Sequence, residues 1–194
     1  MKSIEHLKQI IRPEGTFCPS DELLDKILDM SEQRDMRPRE VLIEYGTIDR
    51  NVYIVTDGIF QMLYFNGTNE ATFGFAFSGT LFGSAHSFYL NQPAVMQIEA
   101  CNIPSGVLCI PYGKYMNLLE ESHEFARWQL NLAQGQLCYT EMKFASIVGS
   151  AEERYKRLLK IRPDIANAVS SNRLASYLGI TPSWLCKLRR KLLS

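Results

Sequence analysis

The stretch Val41–Phe65, VLIEYGTIDRNVYIVTDGIFQMLYF, alternates short β-branched and aromatic runs with Gly and Asp punctuation. Residues of that type favour the pleated, half-buried surface of a sheet, and glycines between them mark corners. Strands are predicted over Val41–Glu44, Val52–Thr56 and Ile59–Phe65, then over Ala71–Phe77 and Val107–Ile110. Asp57-Gly58 and Asn66-Gly67 carry the dipeptide signature of tight hairpins. Phe73, Phe75 and Phe77 alternate with Thr72, Gly74 and Ala76, which predicts one heavily buried face. Many short strands with glycine corners imply a barrel or roll.

Helical periodicity lies on both sides of this block. Ile4–Ile11 reads as a short helix, and Ser20 caps a second over Asp21–Met30, whose first acids Asp21 and Glu22 suit the positive end of the dipole. After Pro111 the pattern predicts Tyr112–Leu119 and a long helix from Glu121 to about Val148. Phe125, Trp128, Leu132, Gly135, Tyr139 and Met142 follow 3-4 spacing on it, beside a second apolar row of Ala126, Leu130, Ala133, Leu137 and Phe144. A face that wide covers the roll and also pairs with a second copy. Gly149-Ser150 breaks the pattern, and Ser150 caps a helix over Ala151–Ile161. The expected domains are a unit of N-terminal helices and β-roll over residues 1–120, a dimerisation and connector helix over 121–148, and a C-terminal unit over 149–194.

The C-terminal unit carries NRLASYLGITPSWLCKLRRKL over Asn172–Leu192. Leu174, Ala175 and Leu178 give a first helix its inward face, and Gly179 supplies the left-handed residue that ends it. Thr181 is a good N-cap and Pro182 suits the first position of a second helix, whose inward stripe is Leu185, Leu188 and Leu192. Such a helix-turn-helix places its second helix in the DNA major groove. Ser183 and Lys187, near the start of its outward face, are the base-reading candidates. Arg173, Thr181, Arg189, Arg190 and Lys191 are the backbone candidates, and Trp184 reads as a packing residue. Charge supports the assignment. Residues 1–150 hold 11 Lys/Arg against 18 Asp/Glu, whereas residues 151–194 hold 10 against 3. A polyanion is repelled by the first part and attracted by the second.

The order of these parts resembles the Crp/Fnr family of bacterial transcription regulators, the cyclic-AMP receptor protein type. The resemblance rests on the Val41–Phe65 segment, on Gly46, Tyr53, Gly58, Gly79 and Gly83, and on the helix-turn-helix. It implies an α+β fold: a cyclic-nucleotide-binding-type, jelly-roll-like β-roll, a long dimerisation helix and a C-terminal helix-turn-helix domain. It also implies a homodimer on a near-palindromic site in double-stranded DNA. The family's nucleotide site begins Phe-Gly-Glu and adds Arg-Ser/Thr about ten residues later. Here the matching positions are Phe82, Gly83, Ser84, Ala94 and Val95, with no arginine between Asn51 and Ala126. A buried cyclic phosphate needs a cationic partner. The roll is therefore expected not to bind cyclic AMP in the family's way, and these five residues become candidates for the pocket of an unidentified small-molecule effector. The family continues into a β-hairpin wing, whereas this sequence stops two residues after Leu192, so no wing is expected.

Other classes are disfavoured. The five cysteines are scattered without a CxxC pair, and His6, His86 and His123 are isolated, so no metal, haem, iron–sulfur or other cofactor is expected. No secretory signal or membrane span is apparent, which predicts a cytoplasmic protein that does not engage a membrane. No catalytic constellation stands out, so an enzyme is not expected. The alternative function is a β-roll sensing an uncharged or apolar ligand, with weak or non-specific DNA binding.

Overall fold

The computed structural model describes residues 3–11, 17–66, 69–146, 149–163 and 165–193. Helices α1 (Ile4–Ile11) and α2 (Asp21–Met30) precede strands β1 (Glu32–Met36), β2 (Val41–Ile43), β3 (Asn51–Asp57), β4 (Ile59–Asn66), β5 (Asn69–Phe77) and β6 (Leu81–Phe82). Helix α3 (Ala85–Leu90) leads to β7 (Met96–Ala100) and β8 (Ser105–Pro111). The remaining described elements are helices: α4 (Tyr112–Glu121), α5 (His123–Ser146), α6 (Ala151–Ile161), α7 (Ile165–Ala168), α8 (Ser171–Leu178) and α9 (Pro182–Leu193). The predicted caps form: Ser20 accepts the Leu23 N–H, and Ser150 with Glu153 builds a reciprocal capping box. The predicted end of the long helix, Ile147 and Val148, lies outside the described residues.

The strands make two antiparallel four-stranded sheets, ordered β1-β8-β3-β6 and β2-β7-β4-β5. Between them lies a core of Tyr53, Val55, Phe60, Ala76, Phe82, Ile98 and Val107. Strands β1, β6 and β7 escape sequence reading. β1 (EQRDM) exposes four of its five residues, so it has no apolar alternation to detect.

Two expectations change. Asp57-Gly58 is not a hairpin, because β3 and β4 belong to different sheets. It is the corner where the chain crosses from one sheet to the other. Gly58 sits at φ +76°, and a Cβ there would collide with the Ser105 side chain. The second signal lies partly outside the described residues at Gly67, but Asn66 pairs with Asn69 across a β4–β5 hairpin. The second change concerns β5. Thr72, Gly74 and Ala76 are its buried residues, while Phe73, Phe75 and Phe77 lie on the opposite, half-buried face. β5 turns its small side chains toward the interior, which Tyr53, Phe60 and Phe82 of other strands already occupy, and its phenylalanines form an outer platform.

Helices cover both outer faces. Val52, Ile54, Leu108 and Ile110 of the first sheet pack with α1, α2, α4 and the start of α5, through Leu24, Ile27, Tyr115, Phe125 and Trp128. On the second sheet, Ile59, Phe75, Phe77 and Cys101 pack with Tyr155, Ile165, Leu174, Leu185 and Leu188 of the C-terminal helices. The C-terminal unit thus shares a core with the roll.

Candidate functional site

Helices α8 and α9 meet through Leu174, Ala175, Leu178, Leu185 and Leu188, all buried. Gly179, at φ +67°, ends α8, and the Ile180 N–H returns to the Ala175 carbonyl at 3.0 Å. Thr181 then starts α9: its Oγ1 accepts the Trp184 N–H at 3.2 Å and lies 3.0 Å from Ser183 Oγ. Ser183, Cys186, Lys187 and Arg190 are exposed on the outward face of α9. Among the described residues, neither Lys187 nor Arg190 has a salt bridge or hydrogen-bond partner. Trp184 is 45% exposed, so it borders solvent instead of filling the core.

The other cations are engaged inside the chain. Arg173 pairs with Glu70, and its Nη2 lies 3.6 Å from Glu99 Oε1, both on the roll. Burial and the Arg39 charge lower its pKa. Arg189 donates through Nε to the Tyr155 hydroxyl at 3.1 Å and through Nη1 to Ser171 Oγ at 3.0 Å, which ties α9 to α6 and α8. Lys191 reaches Glu152 Oε2 at 2.7 Å. Lys156 and Lys191 hold the Glu152 carboxyl down at about 2. Of the sequence candidates, Ser183, Lys187 and Arg190 share one free face, while Arg173 and Arg189 serve as internal ties.

The residues on the roll that make the junction have no signal in the strand pattern. Phe75 meets Tyr177 of α8 with ring centroids 5.1 Å apart, and Arg162 stacks over Phe77 at 3.7 Å. Lys143 of α5 lies 3.7 Å above the Phe73 ring and donates to the Phe73 carbonyl. Burial lowers its ammonium pKa. Only the aromatic row of β5 could have announced this surface, and it reads equally well as a core face.

The effector-pocket candidates are brought together but are already occupied with local structure. Ser84 is 1% exposed and caps α3, its Oγ accepting the Ser87 N–H at 3.3 Å. Gly83 lies against Asn51, where a Cβ would stand 3.1 Å from the carbonyl oxygen. Ala94 pairs on both sides of its backbone: its N–H donates to Thr47 and its carbonyl accepts from Gly46. Phe82 packs against Phe60 and Tyr53, with centroids 5.4 and 5.9 Å away. Val95 is 40% exposed.

Helix α5 divides in two. Phe125 and Trp128 are fully buried and Leu132 half-buried within the same chain, so the first half of the predicted pairing face is internal core. Gly135, Tyr139 and Met142 are exposed, and the Tyr139 hydroxyl lies 3.2 Å from that of Tyr177. Beside them the second row opens to solvent, with Leu130, Leu137 and Phe144 all more than half exposed.

Residues 33–122 match the family of the cyclic nucleotide-binding domain. The roll has that fold. Solved structures extend the likeness beyond it. FixK2 from Bradyrhizobium japonicum superposes with a TM-score of 0.71 at 19% identity, covering 84% of each chain. The c-di-GMP-responsive global regulator CLP of Xanthomonas campestris gives 0.71 at 17% identity, covering 90% of this chain and 92% of its own. A CooA variant from Carboxydothermus hydrogenoformans gives 0.69 at 15%, covering 93% and 86%. No curated protein matches the sequence. Among the described residues no group of His, Cys, Asp or Glu could hold a metal, and no helix is long and apolar enough to cross a membrane.

Proposed function

We propose that this chain is a Crp/Fnr-type, sequence-specific DNA-binding regulator that acts as a homodimer. The observation that carries the reading is the free face of α9: Ser183, Lys187 and Arg190 stand together on a helix whose other side is packed on α8. A helix held that way presents base-reading groups at its start and a phosphate anchor further along. Lys187 donates to guanine O6 and N7, Ser183 pairs with more than one base, and Arg190 holds the backbone. Pairing runs through Leu130, Ala133, Leu137 and Phe144 of α5, whose 3-4 spacing suits a helical seam. It would place two reading helices about 34 Å apart.

The roll is read as unable to hold cyclic AMP in the family's way. The position of the ribose-binding Glu is Ser84, spent as a helix cap, and the position of the phosphate-binding Arg is Ala94, whose methyl side chain carries neither charge nor donor. The alternative, an apolar effector at Phe82 and Ala94, has weaker support because both residues lie in a filled aromatic core.

In vitro DNA selection with the purified protein tests the reading. Enrichment of a two-fold-symmetric sequence with half-sites one turn apart is expected, and failure to enrich any sequence would refute it. Lys187→Ala should lose about 1–3 kcal/mol of discrimination at one base pair. Titration with cyclic AMP should give no saturable heat; a saturable one would overturn the reading of the roll.

A further inference from the structure

A cavity of about 250 Å³ lies where the C-terminal helices meet the roll. Arg39, Gln61, Glu99 and Asn102 of the roll line it together with Ser170 and Arg173 of the C-terminal unit. We propose that this cavity binds a small anion, a phosphate or a short dicarboxylate, held between the guanidinium groups of Arg39 and Arg173. The site is separate from the free face of α9 and stands whether or not that face reads DNA.

Two observations carry it. The first is the charge arrangement. Two arginines line one small space, and burial together with the Arg39 charge raises the cost of the charge on Arg173. Arg173 has carboxylate partners in Glu70 and Glu99. Arg39 has none among the described residues; its Nε donates only to the Asn102 side-chain oxygen at 2.9 Å. Glu99 does not fill the role of counter-ion to Arg39, because its oxygens take the Gln61 amide at 2.7 Å, the Gln97 amide at 2.8 Å and Arg173. Arg39 is exposed, so its free guanidinium N–H groups face solvent; a ligand with two or more anionic oxygens replaces that water with charge-assisted, fork-shaped bonds to both guanidinium groups.

The second observation is the backbone of Arg39. It is one of two non-glycine residues with positive φ among the described residues, at +64°. That conformation is strained for a residue with a Cβ. It is held by the Arg39 N–H bond to the Cys101 carbonyl at 3.1 Å, and it sets the guanidinium beside Asn102 at the cavity wall. The space suits the ligand. At ~30 Å³ per water it holds roughly eight waters, ample for phosphate or malonate.

The test is isothermal titration of the full chain with phosphate and, separately, with malonate at constant ionic strength. Wild-type protein is compared with Arg39→Gln and Arg39→Gly. The glycine variant removes the guanidinium while favouring the native φ, so its fold is preserved even where glutamine disturbs it. Saturable binding of either anion, weakened about tenfold or more in both variants, is expected from the loss of one charge-assisted contact. The anion that binds more tightly names the source chemistry. No saturable heat with either anion up to about 20 mM, or equal affinity in wild type and both variants, overturns the proposal.

Discussion

Helices α8 and α9 are joined by a single glycine turn, and both carry arginine, but they face opposite tasks. α8 turns toward the roll: Arg173 pairs with Glu70 and Glu99, Tyr177 rests on Phe75, and Ser176 Oγ accepts the Thr72 N–H at 3.0 Å. α9 buries Leu185 and Leu188 and ties Arg189 inward but turns its other face away, leaving Lys187 and Arg190 in solvent. The same contrast runs along α5, whose first half is buried against the first sheet and whose second half exposes an apolar row. A cation or a leucine in a periodic pattern therefore does not declare whether it serves a core, a junction or a partner. The surface opposite it decides.

The sharpest break of this comparison is chemical. Cys101 lies under the C-terminal helices at 1% exposure, and burial together with Glu99 pushes its thiol up to about 12. Cys186 is exposed on α9. Alkylation at neutral pH, followed by mass spectrometry, should label Cys186 on the order of a hundredfold or more faster, since the thiolate is the reactive form. Comparable rates would mean that the C-terminal helices leave the roll in solution.

Along α5, Trp128→Ala should cost about 3–5 kcal/mol in denaturant unfolding, the range for emptying a packed aromatic site. Leu137→Asp should leave the stability of the single chain within about 0.5 kcal/mol, because Leu137 is 62% exposed. Light scattering should show that same variant as a monomer. If Leu137→Asp unfolds the chain, the two halves of α5 are not distinct.

A smaller contrast separates the arginines. Arg173→Ala should destabilise by about 1–2 kcal/mol, less than a fully buried pair because solvent screens it, and should leave the salt slope of DNA binding unchanged. Arg190→Ala should leave the thermal midpoint in place and reduce that slope by about one.

The smallest effect is in pH. The Glu152 carboxyl is held at about 2 by Lys156 and Lys191, so its folded pKa lies below the unfolded value. Its contribution is present above the ordinary carboxylate pKa and is lost as pH falls from there toward about 2. The thermal midpoint of Glu152→Gln should lie slightly below that of wild type near neutral pH and converge with it in acid. A difference that persists in acid would assign the loss to packing.

Local structure was legible wherever one residue's own chemistry sets it. Ser20, Ser150 and Thr181 cap helices, Gly179 ends one, and the apolar stripes of α8 and α9 close on each other as their spacing requires. The charge imbalance between the two parts of the chain was equally plain. What the sequence alone left undetermined was the choice of face. A strand shows two faces and a wide helix several, and periodicity does not say which neighbour covers each. Tertiary structure turned Phe73, Phe75 and Phe77 outward and made Asp57-Gly58 a corner between sheets. It also drew Arg173 onto the roll's acids and put Arg39 on the lining of the same cavity. Those pairings join residues far apart in the chain, and only packing brings them within a few ångströms.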